Sequence, residues 1–279
     1  MIDLHTHSTC SDGSFTPDEI VALARVTGLS AVALTDHDSV DGIDAALNVA
    51  SGKCEVVPGV ELSAEYMGKA LHITGLYINH KDEGFNALLE KVKQKRNDRN
   101  VRILQKLEEL GMPVSLDELH HEAGNGVGGR VHLANILVKK GYVKSRDAAF
   151  EIYLGGKGLA MVDRQRFTPK ECISAISNAG GVSFLAHPAT LKLKNNELKT
   201  LVAELKSYGL SGIETFYSGY EHTLIAKLSR IAKEFDLVRG GGSDFHGKNR
   251  PAISLGTGYG TLYMDDSLLK PIKNLARLR

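Results

Sequence analysis

Three cysteines in 279 residues, at positions 10, 54 and 172, are too few, too scattered and odd in number to make a disulfide framework. They suit a reducing cytoplasm. Excess charge is lacking as well: 34 Lys and Arg stand against 33 Asp and Glu, a formal net charge of +1, with a pI near 7.8. That balance gives no global pull toward long duplex nucleic acid or a membrane, so any anionic ligand must be held by local residues. No apolar run reaches membrane length, and the opening MIDLHTH has neither the basic nor the apolar region of a signal peptide. A cytoplasmic chain is expected. Internal repeats and low-complexity segments are also missing.

What is present is a hydrophobic fraction of 42%, enough for a substantial core, and a length that suits one α/β barrel or a barrel with an insertion. Strand-like runs alternate with helical patterns. TPDEIVALARVTG (16–28) has Thr16 as N-cap, Pro17 at the first helical position, Glu19 completing a capping box and Gly28 as the stop. Strands are expected at 2–4, 30–38, 54–63, 70–78, 181–188, 211–217 and 237–246. Seven strands alternating with helices predict a parallel α/β sheet closed as a barrel rather than left open. Residues 82–165 differ in character. A long charged helix (83–111) and three shorter ones read as an all-helical insertion, leaving 1–81 and 166–279 as the barrel.

The strand ends are rich in metal-ligand residue types. In IDLHTHSTCSDGS, His5 and His7 share one side of a strand because side chains alternate, and Asp12 lies on a turn that curls back. TDHD supplies Asp36 and His37, PGVE supplies Glu61, AHP supplies His187, and SDFH supplies Asp244 and His246. His72 opens its run, so its strand must run antiparallel to reach the same rim, with a hairpin turn at Met67-Gly68-Lys69. Active sites of βα barrels lie at the C-terminal ends of the strands. His5, His7, Asp12, His37, Glu61, His72, His187, Asp244 and His246 exceed what one ion takes, and fit two or three divalent ions (Mn, Zn or Fe) sharing carboxylates. Such a cluster suits in-line displacement at phosphorus, by a hydroxide held between the ions. Cys10, without a neighbouring thiol, is a bystander. Asp36 is expected to fix an imidazole tautomer from behind.

HTHSTCSDG, TDHD, PGVE, LHITG, AHP and GSDFH together resemble the ordered motifs of the PHP (polymerase and histidinol phosphatase) family of metal-dependent phosphoesterases, over residues 2 to about 256. The resemblance implies a distorted (βα)7 barrel and a trinuclear centre. One ion would be held by His5, His7, Glu61 and Asp244. A second would take Glu61, His72 and His187, and a third Asp12, His37 and His246. Asp12, His37, Asp244 and His246 are assigned to the chemistry. The insertion, with GRVHLANILVKKGYV and YLGGKG, resembles the branch containing nucleoside 3′,5′-bisphosphate phosphatases and short-RNA 5′-exonucleases. Relatives tend to carry GKPAYV where this chain reads GKGLAMV. Arg130, behind the glycine-rich GNGVGGR, is the expected phosphate contact, with Lys157 and His222 as further substrate contacts and His132 as a packing residue. No dedicated general acid stands out.

The expected function is removal of phosphate from a small phosphorylated nucleotide, including the 5′ ends of short RNA. The rivals are a histidinol-phosphate phosphatase, whose substrate amine would want an acidic pocket, and an inactive metal-binding module of a larger assembly.

Overall fold

A computed structural model describes residues 1–50, 52, 54–124, 128–162 and 166–277. Residues 125–127, within the glycine-rich stretch before Arg130, lie outside the described residues. In chain order the elements are β1 (Ile2–Asp3), α1 (Pro17–Val26), β2 (Ala31–Leu34), α2 (Ile43–Asn48), β3 (Glu55–Tyr66), β4 (Lys69–Leu76), α3 (Glu83–Glu109), α4 (Leu116–Ala123), α5 (Arg130–Lys139), α6 (Arg146–Ala149), a π-turn (Phe150–Leu154), α7 (Pro169–Asn178), β5 (Val182–Leu185), α8 (Asn195–Ser207), β6 (Gly212–Tyr217), α9 (His222–Glu234), β7 (Val238–Gly242) and α10 (Leu269–Arg277).

The seven strands pair in sequence order, β1 to β7. The ring is nearly closed by Leu4 N–H donating to the Gly241 carbonyl (3.2 Å) and Asp244 N–H donating to the His5 carbonyl (2.9 Å). β4 is antiparallel to both its neighbours, whereas the remaining pairs are parallel. Met67 and Gly68, both at positive φ (49° and 75°), make the two-residue hairpin between β3 and β4. That reversal sends β4 down from the rim and leaves His72 close to its top.

Capping chemistry starts the helices where the sequence places it. Thr16 Oγ1 accepts from Glu19 N–H while Glu19 Oε2 accepts from Thr16 N–H, and Thr168 and Glu171 repeat the arrangement at α7. Each box satisfies two amides that have no partner within the helix.

One apolar cluster packs the outward faces of the strands (Val32, Leu62, Ile73, Ile213) against α1, α7, α8 and α9. A second joins Ile2, Ala31, Val182 and Phe184 to Met264, Leu268 and Ile272 of the C-terminal segment. A third is confined to the helices between β4 and α7, from Ile103 through Leu119 and Leu137 to Ala160. α3 is shared: Phe85 and Leu89 pack with the barrel, whereas Ile103, Leu104 and Leu107 belong to the helical cluster. No helix among the described residues is long and apolar enough to cross a membrane.

Phe184 owes its place to two glycines. A Cβ on Gly212 would lie 2.2 Å from its ring and one on Gly240 2.7 Å. Gly212→Ala is therefore expected to cost about 1–3 kcal/mol as overpacking, seen as a lowered Tm. The double variant Gly212→Ala/Phe184→Leu should recover part of the loss. An unchanged Tm for Gly212→Ala would show that the ring moves freely aside.

Candidate metal centre

The segment after β1, β3 and the loop after β7 bring four ligand atoms together. His5 Nε2 and His7 Nε2 face each other at 3.2 Å. Each is 3.3 Å from Glu61 Oε2, and Asp244 Oδ1 lies 3.6 Å from His5 Nε2 and 3.2 Å from His7 Nε2. A tetrahedral ion with bonds of 2.0–2.2 Å spaces its ligand atoms by about 3.3–3.6 Å. The five distances given, 3.2–3.6 Å, lie close to that spacing. The other carboxylate oxygen, Glu61 Oε1, faces a second group: His72 Nδ1 at 2.9 Å and His187 Nε2 at 2.8 Å.

On the far side of His7, Asp12 Oδ1 is 3.2 Å from His246 Nε2 and 3.7 Å from His7 Nδ1. His37 sits between the groups. Its Nδ1 is 3.0 Å from Glu61 Oε2, and it can supply an atom to a cluster with His7, Asp12 and His246 or to one with Glu61 and His72. All nine strand-end residues named from the sequence therefore surround Glu61, His7 or Asp12.

Hydrogen bonding does not account for this packing. Glu61 Oε2, His37 Nδ1 and His246 Nε2 are buried without a hydrogen-bond partner; the 3.0 Å between the first two lacks the alignment of a bond. A buried carboxylate oxygen left unpaired is costly, and lone pairs converging on one point suit a cation. The donor set of imidazole nitrogens and carboxylate oxygens fits divalent zinc, manganese or iron.

The charges of the cluster act on one another. Burial opposes charge on His7, but the Asp244 and Glu61 carboxylates outweigh it and lift the imidazole to about 9. His5 is likewise raised, against its burial, by Glu214 and Glu61. His37, deeply buried, is pushed down to about 3 despite nearby carboxylates, which leaves it a neutral donor. Burial alone would push Glu61, Asp244 and Asp12 up. The surrounding imidazoles, joined at Asp244 by Arg250, instead hold all three well below the ordinary carboxylate range.

Several supporting residues lie outside the motifs. Glu214 of β6 accepts from His5 Nδ1 at 2.6 Å and from His187 N–H at 2.6 Å. It holds the His5 tautomer that presents Nε2 to the centre. Its signal in the sequence is an acid inside the apolar run GIETFY. The tautomer role expected of Asp36 thus falls to Glu214. Asp36 instead accepts from Ser8 N–H (2.7 Å), Ser8 Oγ (2.6 Å) and Ser11 Oγ (2.5 Å), shaping the loop that carries Asp12. Tyr217 donates to Asp244 Oδ2 at 2.6 Å, where Arg250 also makes an ion pair.

Above Asp12, His37 and His72 opens a cavity of about 240 Å³ whose wall carries Arg96, Arg99, Arg130, Arg166 and Arg250. Arg130 is where the sequence suggests, with Nη1 donating to the Leu154 carbonyl at 3.0 Å. The other four belong to no motif and come from the fold. Arg96 pairs with Asp38 and Arg166 with Glu65. His132 is buried on the same wall, its Nδ1 accepting from Gly129 N–H at 3.1 Å, a packing role at the start of α5. Lys157 and His222 are exposed and do not line this cavity.

A family model for the PHP domain matches residues 3–153. A 5′-3′ exoribonuclease of Haemophilus influenzae is 37% identical over 246 residues, covering 88% of this chain and 89% of that protein. A 3′,5′-nucleoside bisphosphate phosphatase of Chromobacterium violaceum is 30% identical over 247 residues, covering 88% and 87%. Among solved structures, a protein of Bifidobacterium adolescentis described as a metal-dependent phosphoesterase superposes with a TM-score of 0.86 at 28% identity, covering 98% of this chain and 96% of that one. With the histidine–carboxylate centre at the rim of a seven-stranded barrel, these likenesses place the chain in the PHP domain family, as a phosphoesterase that hydrolyses phosphoric esters.

Proposed function

We propose that this chain removes phosphate from small phosphorylated nucleotides, with nucleoside 3′,5′-bisphosphates as the best substrates and the 5′ ends of short RNA as a second class. The observation that carries the reading is the arginine wall over the histidine–carboxylate centre. Five guanidiniums around one small cavity suit a ligand bearing a second phosphate besides the one that reacts. The names of the Haemophilus and Chromobacterium relatives support nucleotide and RNA substrates.

His5, His7, Asp12, His37, Glu61, His72, His187, Asp244 and His246 would hold two or three divalent ions. When bound, these supply Lewis acidity toward a phosphoryl oxygen and lower the pKa of water. The chain's own part is placement. Glu61 and Asp244 keep the histidines aimed at common points, and Arg130 binds the remote phosphate so that its binding energy orients the reacting one. Arg96, Arg99 and Arg166 extend that clamp. Lys157 and His222, exposed and off the cavity, are left out of it. A histidinol phosphate amine would meet this arginine wall, and Asp38 and Glu65 behind it are already paired with Arg96 and Arg166. Three free, buried cysteines fit the cytoplasmic setting expected for the chain.

The test compares adenosine 3′,5′-bisphosphate, the matching 3′-monophosphate and histidinol phosphate, in wild type and Arg130→Ala. Losing the remote phosphate, or its arginine, should lower kcat/KM about ten- to a hundredfold, the range of a charge-assisted contact of 1.5–3 kcal/mol. Fastest turnover of histidinol phosphate, or equal rates on the mono- and bisphosphate, would overturn the substrate reading and leave the phosphoesterase assignment standing.

A further inference from the structure

Asp12 sits on the loop after β1, and the loop after β7 also holds it. Ser14 N–H donates to the His246 carbonyl at 3.2 Å, and Lys248 N–H donates to Ser14 Oγ at 2.7 Å. Asn249 Nδ2 then donates to the carbonyl of Asp12 itself at 2.9 Å. The same asparagine faces the helical segment on its other side. Arg146, the first residue of α6, donates from Nη2 to the Asn249 carbonyl at 2.6 Å and from Nη1 toward Asn249 Oδ1 at 3.4 Å. One amide side chain therefore spends its donor on the Asp12 loop and its acceptor on the helices.

The segment that grips it is itself organised. Ser145 caps α6 by accepting from Ala148 N–H at 3.2 Å. α6 then runs straight into the π-turn Phe150–Leu154, a form that often marks functional sites, and Leu154 accepts from Arg130. A second cavity, of about 280 Å³, lies under this segment between Arg146, Phe150, Asp12 and His246. It meets the arginine cavity at Asp12, Val131, Phe150 and Arg250.

We propose that Arg146 is a positioning residue: its fork on Asn249 latches segment 145–154 to the barrel and thereby fixes Asp12 and the ion that Asp12 holds. The inference rests on the reading of Asp12 as a metal ligand. Supporting contacts behind a ligand typically change metal affinity by about 10- to 100-fold, and here the support comes from the helical segment. Arginine suits the role because two donors of its planar fork engage two acceptors of one residue, which a lysine ammonium cannot do as rigidly.

The experiment uses the full chain, stripped with a chelator and dialysed against graded Mn²⁺, with bound metal counted by elemental analysis. Backbone hydrogen exchange over residues 8–14 is followed in the stripped protein. Arg146→Ala should weaken the same ion that Asp12→Asn weakens about 10- to 100-fold, leave the other binding intact and speed exchange in 8–14. Arg146→Lys should fall between it and wild type. Asn249→Ala should match Arg146→Ala, and the double variant should be no worse, because both cut one chain of contacts. Wild-type Mn²⁺ affinity and exchange in Arg146→Ala would overturn the latch. So would a raised KM with unchanged metal binding, which is the signature of a substrate contact, or loss of all ions together. Asp12→Asn separates the two readings. If it keeps every ion at wild-type affinity, Asp12 is not a ligand; if it loses one while Arg146→Ala loses none, the latch alone fails.

Discussion

Glu61→Gln is expected to empty most of the metal centre and to lower kcat/KM by on the order of a thousandfold or more, because the several kcal/mol of Lewis-acid stabilisation leave with the ions. Among the described residues, Glu61 is the one carboxylate within 3.3 Å of all of His5, His7, His37, His72 and His187. Its two oxygens face different histidine groups, so an amide in its place removes an anionic ligand from both and turns an N–H₂ toward one of them. Asp12→Asn touches only the group around His246 and His7, and its effect should be smaller. Elemental analysis of the two variants side by side, with rates on one bisphosphate substrate, makes the comparison. Equal and mild losses would show that Glu61 does not bridge. Retained ions with lost activity would show that its charge acts on the reaction rather than on the metals.

The nine candidate ligands gathered at this rim are legible in the amino-acid sequence because they lie in short motifs at the ends of apolar runs. Strand periodicity and turn chemistry are strongest there, so local pattern alone locates them. The position of His72 at the start of its run is enough to require a reversed strand, and β4 is reversed. The arginine wall is not legible in this way. Arg96 and Arg99 fall in KRNDRN, a stretch whose alternating charges look like the solvated face of a helix, and the fold alone carries them over His37 and His72. Arg250 follows SDFHGKN closely but contacts Asp244 through a turn whose geometry composition does not reveal. Glu214 is hidden for the opposite reason: within GIETFY it resembles the polar member of an ordinary strand, and its partners are 209 and 27 residues away. Lys157, flanked by glycines like a phosphate-loop cation, is exposed. Glycine and a cation mark a phosphate loop only where the fold turns them inward.

Divalent metal should raise the thermal stability of this protein by an amount that counts ions. The centre packs Glu61, Asp12 and Asp244 among imidazoles, with Glu61 Oε2, His37 Nδ1 and His246 Nε2 lacking hydrogen bonds. A cation among them would meet those unpaired atoms, and because the unfolded chain does not gather these ligands, its binding energy becomes folding energy. An ion at a free concentration 100 times its Kd adds about 2.7 kcal/mol. For a chain of this size each kcal/mol moves Tm by about 2–4 °C, so each ion should contribute roughly 5–11 °C. The measurement is a thermal scan of chelator-treated protein against graded Mn²⁺ or Zn²⁺. Wild type should climb by more than one such increment, Glu61→Gln should lose most of the climb, and His222→Ala, altered at an exposed helix start, should keep all of it. A Tm that ignores metal in wild type would mean that the converging nitrogens and oxygens do not form a metal centre. An equal climb in Glu61→Gln would move the binding elsewhere on the chain.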